Sequence, residues 1–389
     1  MNKKICTIQI NYTDLENFDA NYNCIAKLKE SGIFDKVVLA APDIEKNLVL
    51  ADFARKYDIE LFLGEVDNVA KRMLDCCRKY DAEIAARVLI NWFFIDIDLI
   101  KAMIQMLQDT GADYVNLPRN FDIRFGADVF HSRFLVKLLD SRNPDIKEGN
   151  AVFFNPWGYA ETHPENCHLV TCQETPEYSY DDFNKIRETF RKVWPERHDS
   201  SCAPMYTYKS AVNYIKSKRN CRVLDVACGL GNGTNYLAYY CEEIVGVDSD
   251  EDTIVKAKES FPKANIEFVA GDAQALSFPE ESFDAIVSVH TMEHLPDDDR
   301  FLQRCSAVLC SDGIFIIEVP KLRELPFKGV DTPLSVFHIR EYDAKGFAQL
   351  LDKHFDVIEL LGACRRFYVS IENSREALFA VCRKKNKLT

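Results

Sequence analysis

Three carboxylates and a group of histidines in the second half of the sequence are spaced for chemistry. Asp225 stands four residues before Gly229 in VLDVACGLGNGT, Asp248 closes IVGVD 19 residues after Gly229, and Asp272 closes FVAGD. An acid at the first place can face a positively charged ligand group. One at the second can accept both hydroxyl hydrogens of a ribose diol, and one at the third can accept from an exocyclic amine. Gly229, Gly231 and Gly233 make a turn with no Cβ to hold a ligand off the backbone. His290 and His294 bracket HTMEH, and His338 lies in FHIREY beside Arg340 and Glu341. Imidazole exchanges protons near neutral pH, so each histidine is a candidate for removing a hydroxyl proton during an in-line group transfer. Plainer roles stay open beside these: His294 could pack or cap, His290 could only shape a pocket, and Glu341 could begin a helix. Asp297, Asp298 and Asp299 fit a helix start, where acids favour the dipole.

These residues need a sheet that carries them to one edge. RVLDVA has the apolar character of a strand buried on both faces. EIVGVD, IEFVAG, FDAIVSV and IFIIEVP follow as strands, with helices expected between the first four and after the fourth. HFDVIELLG and EALFAVCRKK suit a closing antiparallel pair, and MYTYKSAVNYIKSK a preceding helix. The carboxyl ends of parallel strands are where such sheets bind ligands.

The ordered set VLDVACGLGNGT, VGVDSD, GDAQALSFPEESFDAIVSVHTMEHL and LCSDGIFIIEVP resembles class I S-adenosylmethionine-dependent methyltransferases, over about residues 203 to 385. The resemblance implies that Asp225, Ala227, Gly229 and Gly231 hold the amino-acid part of S-adenosylmethionine. It implies that Asp248 with Ser249 holds the ribose, Asp272 with Ala273 borders the adenine, and His290 lies beside the methyl-sulfonium. A nicotinamide-dinucleotide domain also has a glycine turn with an acid about 20 residues on. It does not usually place an acid four residues before the first glycine, and it has no need of GDAQALSF. The FHIREY segment resembles one in methyltransferases of surface-glycan gene clusters. His338 is the preferred base, His290 another candidate, and Glu341 a group that would orient His338. No Asn-Pro-Pro-Tyr type motif is present, which favours an oxygen acceptor or a small molecule.

The first half alternates short strands with amphipathic helices, the rhythm of a mostly parallel, helix-covered sheet. GEVDNVAKRMLDCCRKYDAEIAARV, IDIDLIKAMIQMLQDTGADYVNLP and GADVFHSRFLVKLL occur in an order that resembles cytidylyltransferases of the spore-coat-polysaccharide and CMP-sugar type, over about residues 1 to 165. The resemblance places Asp67, Asn68 and Val69 at a helix start, Arg87 at the end of the central strand, and Asp128, Val129 and Phe130 near the sugar. Two departures cut against catalysis. The first strand leads into NYTDLENFDANYN, which holds no Gly, Arg or Lys to cradle a triphosphate. Asn91 stands where the family has a metal-binding Asp, and Mg²⁺ prefers carboxylate oxygen. The domain is expected to be catalytically silent, and Trp92, Phe93 and Phe94 suit either an apolar surface or core.

Composition sets the frame. The 389 residues favour two domains, expected at 1–170 and 204–389 with a helical linker at 171–203. The expected fold class is α/β: two doubly wound three-layer domains, one nucleotidyltransferase-like and one Rossmann-like with its closing strand pair. The net charge of −13 argues against a nucleic-acid partner. Fourteen cysteines contain no CxxC pair, so they read as buried apolar residues and no metal is expected. MNKKICTIQINY lacks the pattern of a signal peptide, and no apolar run approaches the roughly 20 residues of a membrane span. A cytoplasmic location is expected, and a homodimer is compatible. The cofactor expected is S-adenosylmethionine, and the partner a small-molecule or glycan acceptor in surface-polysaccharide synthesis. The alternatives are a bifunctional cytidylyltransferase–methyltransferase and a non-catalytic module that binds S-adenosylmethionine and sugar.

Overall fold

The computed structural model describes residues 3–92, 94–118, 121–140, 155–193, 205–215, 220–323, 325–330, 332–333, 335–364 and 367–385. It divides into two units, Met1–Pro195 with Glu324–Val330, and Glu196–Arg323 with Asp331–Thr389. Phe93, the end of the expected linker and the last four residues of the chain lie outside the described residues.

The first unit is a seven-stranded sheet of β1 (Lys4–Gln9), β2 (Lys36–Pro42), β3 (Glu60–Gly64), β4 (Ile84–Leu89), β5 (Tyr114–Asn116), β6 (Asp128–His131) and β7 (Leu169–Thr171), in the order β3-β2-β1-β4-β6-β5-β7. Its helices are α1 (Phe18–Glu30), α2 (Leu50–Lys56), α3 (Val69–Lys79), α4 (Ile97–Thr110), α5 (Ser132–Leu138), α6 (Pro156–Thr162) and α7 (Tyr180–Val193). Strands β1 to β4 are parallel, as the alternating rhythm implies. The sheet is nevertheless mixed, because β6 runs antiparallel to both β4 and β5. The sequence reading names no strand at the boundary between the first domain and the linker expected from 171, where Leu169–Thr171 pairs in parallel with β5. Three half-buried residues at a sheet edge carry no apolar run that would announce them. Trp92 and Phe94 are core residues rather than an apolar surface.

The second unit is an eight-stranded sheet of β8 (Arg222–Val226), β9 (Glu243–Asp248), β10 (Ile266–Ala270), β11 (Phe283–Val289), β12 (Leu309–Pro320), β13 (Phe355–Cys364), β14 (Phe367–Val369) and β15 (Ala377–Lys384). Their order is β10-β9-β8-β11-β12-β15-β13-β14. The first five strands are parallel. β15 is antiparallel to β12 and to β13, so the expected closing pair is present. The helices are α8 (Met205–Ile215), α9 (Asn232–Leu237), α10 (Glu251–Ser260), α11 (Asp298–Val308) and α12 (Ala344–Asp352). Between β10 and β11 there is no α-helix, only the single 3-10 turn Ala273–Ala275. The remaining residues of that connection, with Pro279 among them, leave no room for helical turns.

The parallel strands read as continuous apolar runs because both faces are covered. Leu224, Val226, Val245, Val247, Ile286 and Ile317 pack on one face with Phe301, Leu302, Phe347 and Leu351 of α11 and α12. Val223, Ile244, Ala285, Val287 and Ile316 pack on the other with Tyr208, Ala211, Val212 and Ile215 of α8. Among the described residues no helix is long and apolar enough to cross a membrane. The described cysteines are unbridged, and most are buried.

The glycine turn after β8 is shaped partly by the protein's own packing. Gly231 caps α9 with φ +80, and a Cβ there would lie 2.5 Å from the Phe268 ring. A Cβ on Gly233 would lie 2.1 Å from the Tyr208 ring, so this glycine lets α9 sit against α8. Gly233→Ala is therefore expected to lower unfolding free energy by about 1–3 kcal/mol, the range for overpacking a filled site. Chemical denaturation measures this, and an unchanged midpoint would show that the ring simply moves aside.

Candidate functional site

The order of the second sheet reverses between β8 and β11, and in open α/β sheets the crevice for ligands lies beyond the carboxyl ends of the strands at that point. Asp225, Asp248, Asp272 and His290 all come from this edge, on or just after β8, β9, β10 and β11. The backbone there is unusual. Ala227 and His290, neither of them glycine, have φ of +60 and +52, and Gly229 has φ +52. Left-handed conformations in residues with a Cβ cost on the order of 1–2 kcal/mol and cluster where a fold is shaped for a ligand.

The three acids differ in exposure. Asp225 is fully buried, and its carboxylate accepts from Tyr208 Oη at 3.1 Å and Thr234 Oγ1 at 2.6 Å. It does not face the crevice openly, contrary to the sequence reading, because two hydroxyls enclose it. Burial raises its pKa to about 6; the two hydroxyls pull it back, and Asp248 adds to the rise. Asp248 accepts from the Gly229 amide at 3.0 Å and from the Asp250 amide at 3.1 Å, so it holds the glycine turn in place while remaining partly open. Asp272 is exposed and caps the 3-10 turn through the Gln274 amide, with Ala273 buried beneath it and Ser249 exposed after β9.

The histidines occupy unequal settings. His290 lies between two fully buried carboxylates, Glu318 Oε1 at 3.1 Å from Nε2 and Glu293 Oε1 at 3.4 Å from Nδ1. Burial alone would lower its pKa, but the two acids override that and raise it well above the ordinary value. The pairing favours the cationic form, in which the imidazole has no lone pair to accept a proton. Burial likewise acts to raise Glu293, and the imidazoles of His290, His294 and His338 bring it below the usual carboxylate range. His294 donates from Nδ1 to the Phe337 carbonyl at 2.9 Å. His338 donates from Nδ1 to Glu341 Oε1 at 3.0 Å, and both side chains are largely buried. Arg340 is taken up by structure: it donates to the carbonyls of Leu295 and Pro296 and pairs with Asp298. Asp297 caps α11 through the Arg300 amide, as its spacing implied.

Sequence reasoning missed Glu318, whose carboxylate collects Tyr206, Thr207, Tyr368 and His290. The signal was there, a lone acid inside the otherwise apolar IFIIEVP. Glu293 was quoted only as part of a motif.

In the first unit, Arg87 and Asp128 satisfy one another. Arg87 pairs with the buried Asp128, donates from Nε to Gln9 at 2.6 Å, and stacks 4.1 Å over the Trp157 ring. Tyr114 bridges Asp128 and Glu161. Val129 and Phe130 are core, Asn68 caps α3 through the Lys71 amide, and Asp67 and Asn91 are exposed. The loop after β1 gains one cation from elsewhere, Lys46, 5.3 Å from the Tyr12 ring. A recess of about 420 Å³ lined by Lys4, Ile84, His131 and Arg133 opens at the amino ends of β1 and β4, the edge opposite to where such sheets hold ligands.

Parts of the second unit are similar to known proteins. Residues 224–317 match the family described as a methyltransferase domain. A probable S-adenosylmethionine-dependent methyltransferase of Mycolicibacterium smegmatis is 34% identical over 142 residues, 36% of this chain and 54% of that protein. A fatty-acid O-methyltransferase of the same organism is 28% identical over 220 residues, 55% of this chain and 70% of that protein. The solved structure of YcgJ from Bacillus subtilis is 17% identical with a TM-score of 0.38, covering 47% of this chain and 99% of that one. The chain spans about half the length of the first curated relatives it matches.

The buried Asp225 gives a pH signature. Its folded pKa of about 6 exceeds the unfolded value of 3.8, so the folded state keeps a proton that the unfolded chain releases. Stability therefore falls as pH rises from about 4 to 6. Asp225→Asn removes this titration, and the parent should lose up to about 3 kcal/mol relative to the variant between pH 3.5 and 7. Hydrogen exchange at β8 amides reads the difference. A difference constant with pH would mean that the carboxyl ionises normally in the fold.

Proposed function

We propose that the chain moves a methyl group from S-adenosylmethionine to an oxygen acceptor, proceeding from the class I S-adenosylmethionine-dependent methyltransferase domain held in its C-terminal half. The observation that carries this reading is the convergence of Asp225, Asp248 and Asp272 on one sheet edge, around a turn whose backbone is left-handed at Ala227, Gly229 and Gly231. The residues fit the cofactor. Among the described residues the hydrogen-bond partners of buried Asp225 are hydroxyls, and a cationic amino-acid end would stabilise its charge. Asp248 keeps carboxylate lone pairs for a ribose diol beyond those used by the two amides. The exposed Asp272 can accept from the adenine amine. When bound, the cofactor supplies an electrophilic methyl on a sulfonium.

The remaining work falls to the chain's own side chains. His338 keeps its Nδ1 proton on Glu341, which leaves Nε2 as the ring nitrogen able to receive an acceptor proton. His290 serves as a fixed cation between Glu293 and Glu318 rather than as a base. An oxygen acceptor is supported by the O-methyltransferase among the relatives. We assign the acceptor to the sugar, nucleotide-sugar or glycan-end class in polysaccharide synthesis, on the resemblance of the first half and of FHIREY. The first unit we read as a cytidylyltransferase-like domain without turnover. Its Arg87 and Asp128 are spent on each other, and its first loop offers few cations.

A labelled-methyl assay across nucleotide-sugars and glycan fractions tests this directly. Asp248→Ala should weaken binding of the demethylated product by about 1–3 kcal/mol, the cost of unpaired diol hydroxyls. His338→Ala should lower turnover by about 10²–10⁴-fold at near-normal cofactor affinity. Full turnover in His338→Ala would remove His338 from the chemistry.

A further inference from the structure

We propose that the Arg72 guanidinium and the amino-terminal turn of α3 form a binding site for a phosphate group at the carboxyl edge of the first sheet. Arg72 is the fourth residue of α3, between the buried Ala70 and Met73, and only 5% of it is exposed. Its stem lies against Gly64, the last residue of β3, where a Cβ would come within 3.1 Å of Arg72 Cγ. Nη1 donates to the carbonyls of Glu65 and Val66, in the connection from β3 to α3. The guanidinium is thereby folded back toward the amino end of its own helix.

Two observations point to an anion. The first is a missing acceptor. Arg72 Nε is buried without a hydrogen bond, and Nη2 has none among the described residues. Nε and Nη2 share one edge of the guanidinium fork, an edge that can grip two oxygens at once. Arg124 shows that edge filled, with Nε and Nη2 on the two oxygens of Asp122 at 3.0 and 2.6 Å. Arg133 likewise donates from Nε to Asp113 at 2.7 Å. On Arg72 the same edge has no acceptor among the described residues.

The second observation is a missing charge. Among the described residues no carboxylate pairs with Arg72. The acids near it in sequence are turned elsewhere: Glu65 and Asp75 both pair with Lys71, at 3.3 and 2.6 Å, and Asp67 is exposed. Burial lowers the Arg72 pKa to about 10 and the neighbouring Arg87 charge adds to the fall, with no acid opposing them. Arg72 is still a cation at neutral pH. A buried charge without a partner is costly, and the carboxylate of Asp128 is already on Arg87.

The helix end supplies further donors. Asn68 caps α3 through the Lys71 amide at 2.8 Å, and the Arg72 amide donates to the Asn68 carbonyl at 2.9 Å. The Val69 and Ala70 amides precede these, where a helix offers no acceptor of its own, and none is present among the described residues. A guanidinium edge and helix-start amides together suit the several oxygens of a phosphate group; a carboxylate needs the edge alone. The ends of parallel strands that point this way are also where such sheets hold ligands. The sequence reading sought cations for phosphate in the loop after β1, whereas this one stands after β3. The site lies within the first unit and does not depend on the methyl-transfer reading.

Calorimetry of the full chain with inorganic phosphate, glucose 1-phosphate and acetate, at fixed ionic strength in chloride, tests the site. Expected is phosphate binding that saturates at about one equivalent. It should be at least about tenfold weaker in Arg72→Lys, whose point charge lacks the fork. It should be unchanged in Lys4→Ala, which alters the cationic recess at the opposite edge. Tighter binding of the ester than of phosphate would support a phosphorylated metabolite as the occupant, and the reverse would support the free ion. Absence of saturable phosphate binding, acetate binding more tightly than phosphate, or unchanged affinity in folded Arg72→Lys would overturn the proposal. Where Arg72→Lys does not fold, hydrogen exchange on the parent chain carries the test. Phosphate should slow exchange over residues 65–75, and equal rates with and without it would also overturn the proposal.

Discussion

Charge buried at the carboxyl ends of parallel strands is the constraint on which the second unit is built. Asp225, Glu293 and Glu318 are all fully enclosed. A buried ion that loses its partner costs about 3–5 kcal/mol, so each one dictates what must stand beside it. Glu318 on β12 draws in Tyr206 and Thr207 from α8, Tyr368 from β14 and His290 from the tip of β11. Asp225 on β8 draws in Tyr208 from α8 and Thr234 from α9. One helix, α8, is thus bound to two strands through consecutive residues of its first turn. Gly233 is bare because the Tyr208 ring that reaches Asp225 must pass over it.

The first unit solves the same problem differently. Around Arg87, polar groups close on one another: Arg87 with Asp128, Asp128 with Tyr114, Tyr114 with Glu161, and the guanidinium lies over Trp157. Asp113 likewise takes both Arg133 and Lys137. In the second unit the balance is incomplete within the protein. Glu293 and Glu318 share the His290 imidazole, but Asp225 is met by hydroxyls alone among the described residues. Groups of that kind mark where a sheet is arranged for something outside itself.

Much of this could be read from the chain. Continuous apolar runs such as RVLDVA and FDAIVSV appear as parallel strands because both faces are covered, and the closing pair stands out by its separation from them. Asp297 revealed itself as a cap by its place before an amphipathic run. What stayed hidden was non-local or short. β6 reverses direction because of how β4 and β5 accept it, which no local pattern encodes. The connection after β10 has the length of a loop and was given a helix by analogy with its neighbours. Glycines in the turn looked like room for a ligand, yet Gly231 and Gly233 answer to Phe268 and Tyr208 from distant segments. Arg340, beside His338 in FHIREY, ties down the loop at Leu295 and Pro296, which its position in the sequence does not announce. The link between Glu293 and His338 depends on a seam formed only when the segment before α12 folds back onto the tip of β11.

The account's central claim is that the tips of β8, β9 and β10 hold an adenosyl sulfonium. A crystal structure of the full chain grown with S-adenosylhomocysteine tests it most directly. The account predicts the ribose hydroxyls on Asp248, the adenine against Asp272 and Ala273, and the amino-acid end over the turn that follows Asp225. Density for the compound elsewhere on the molecule, with that edge bare, would contradict it.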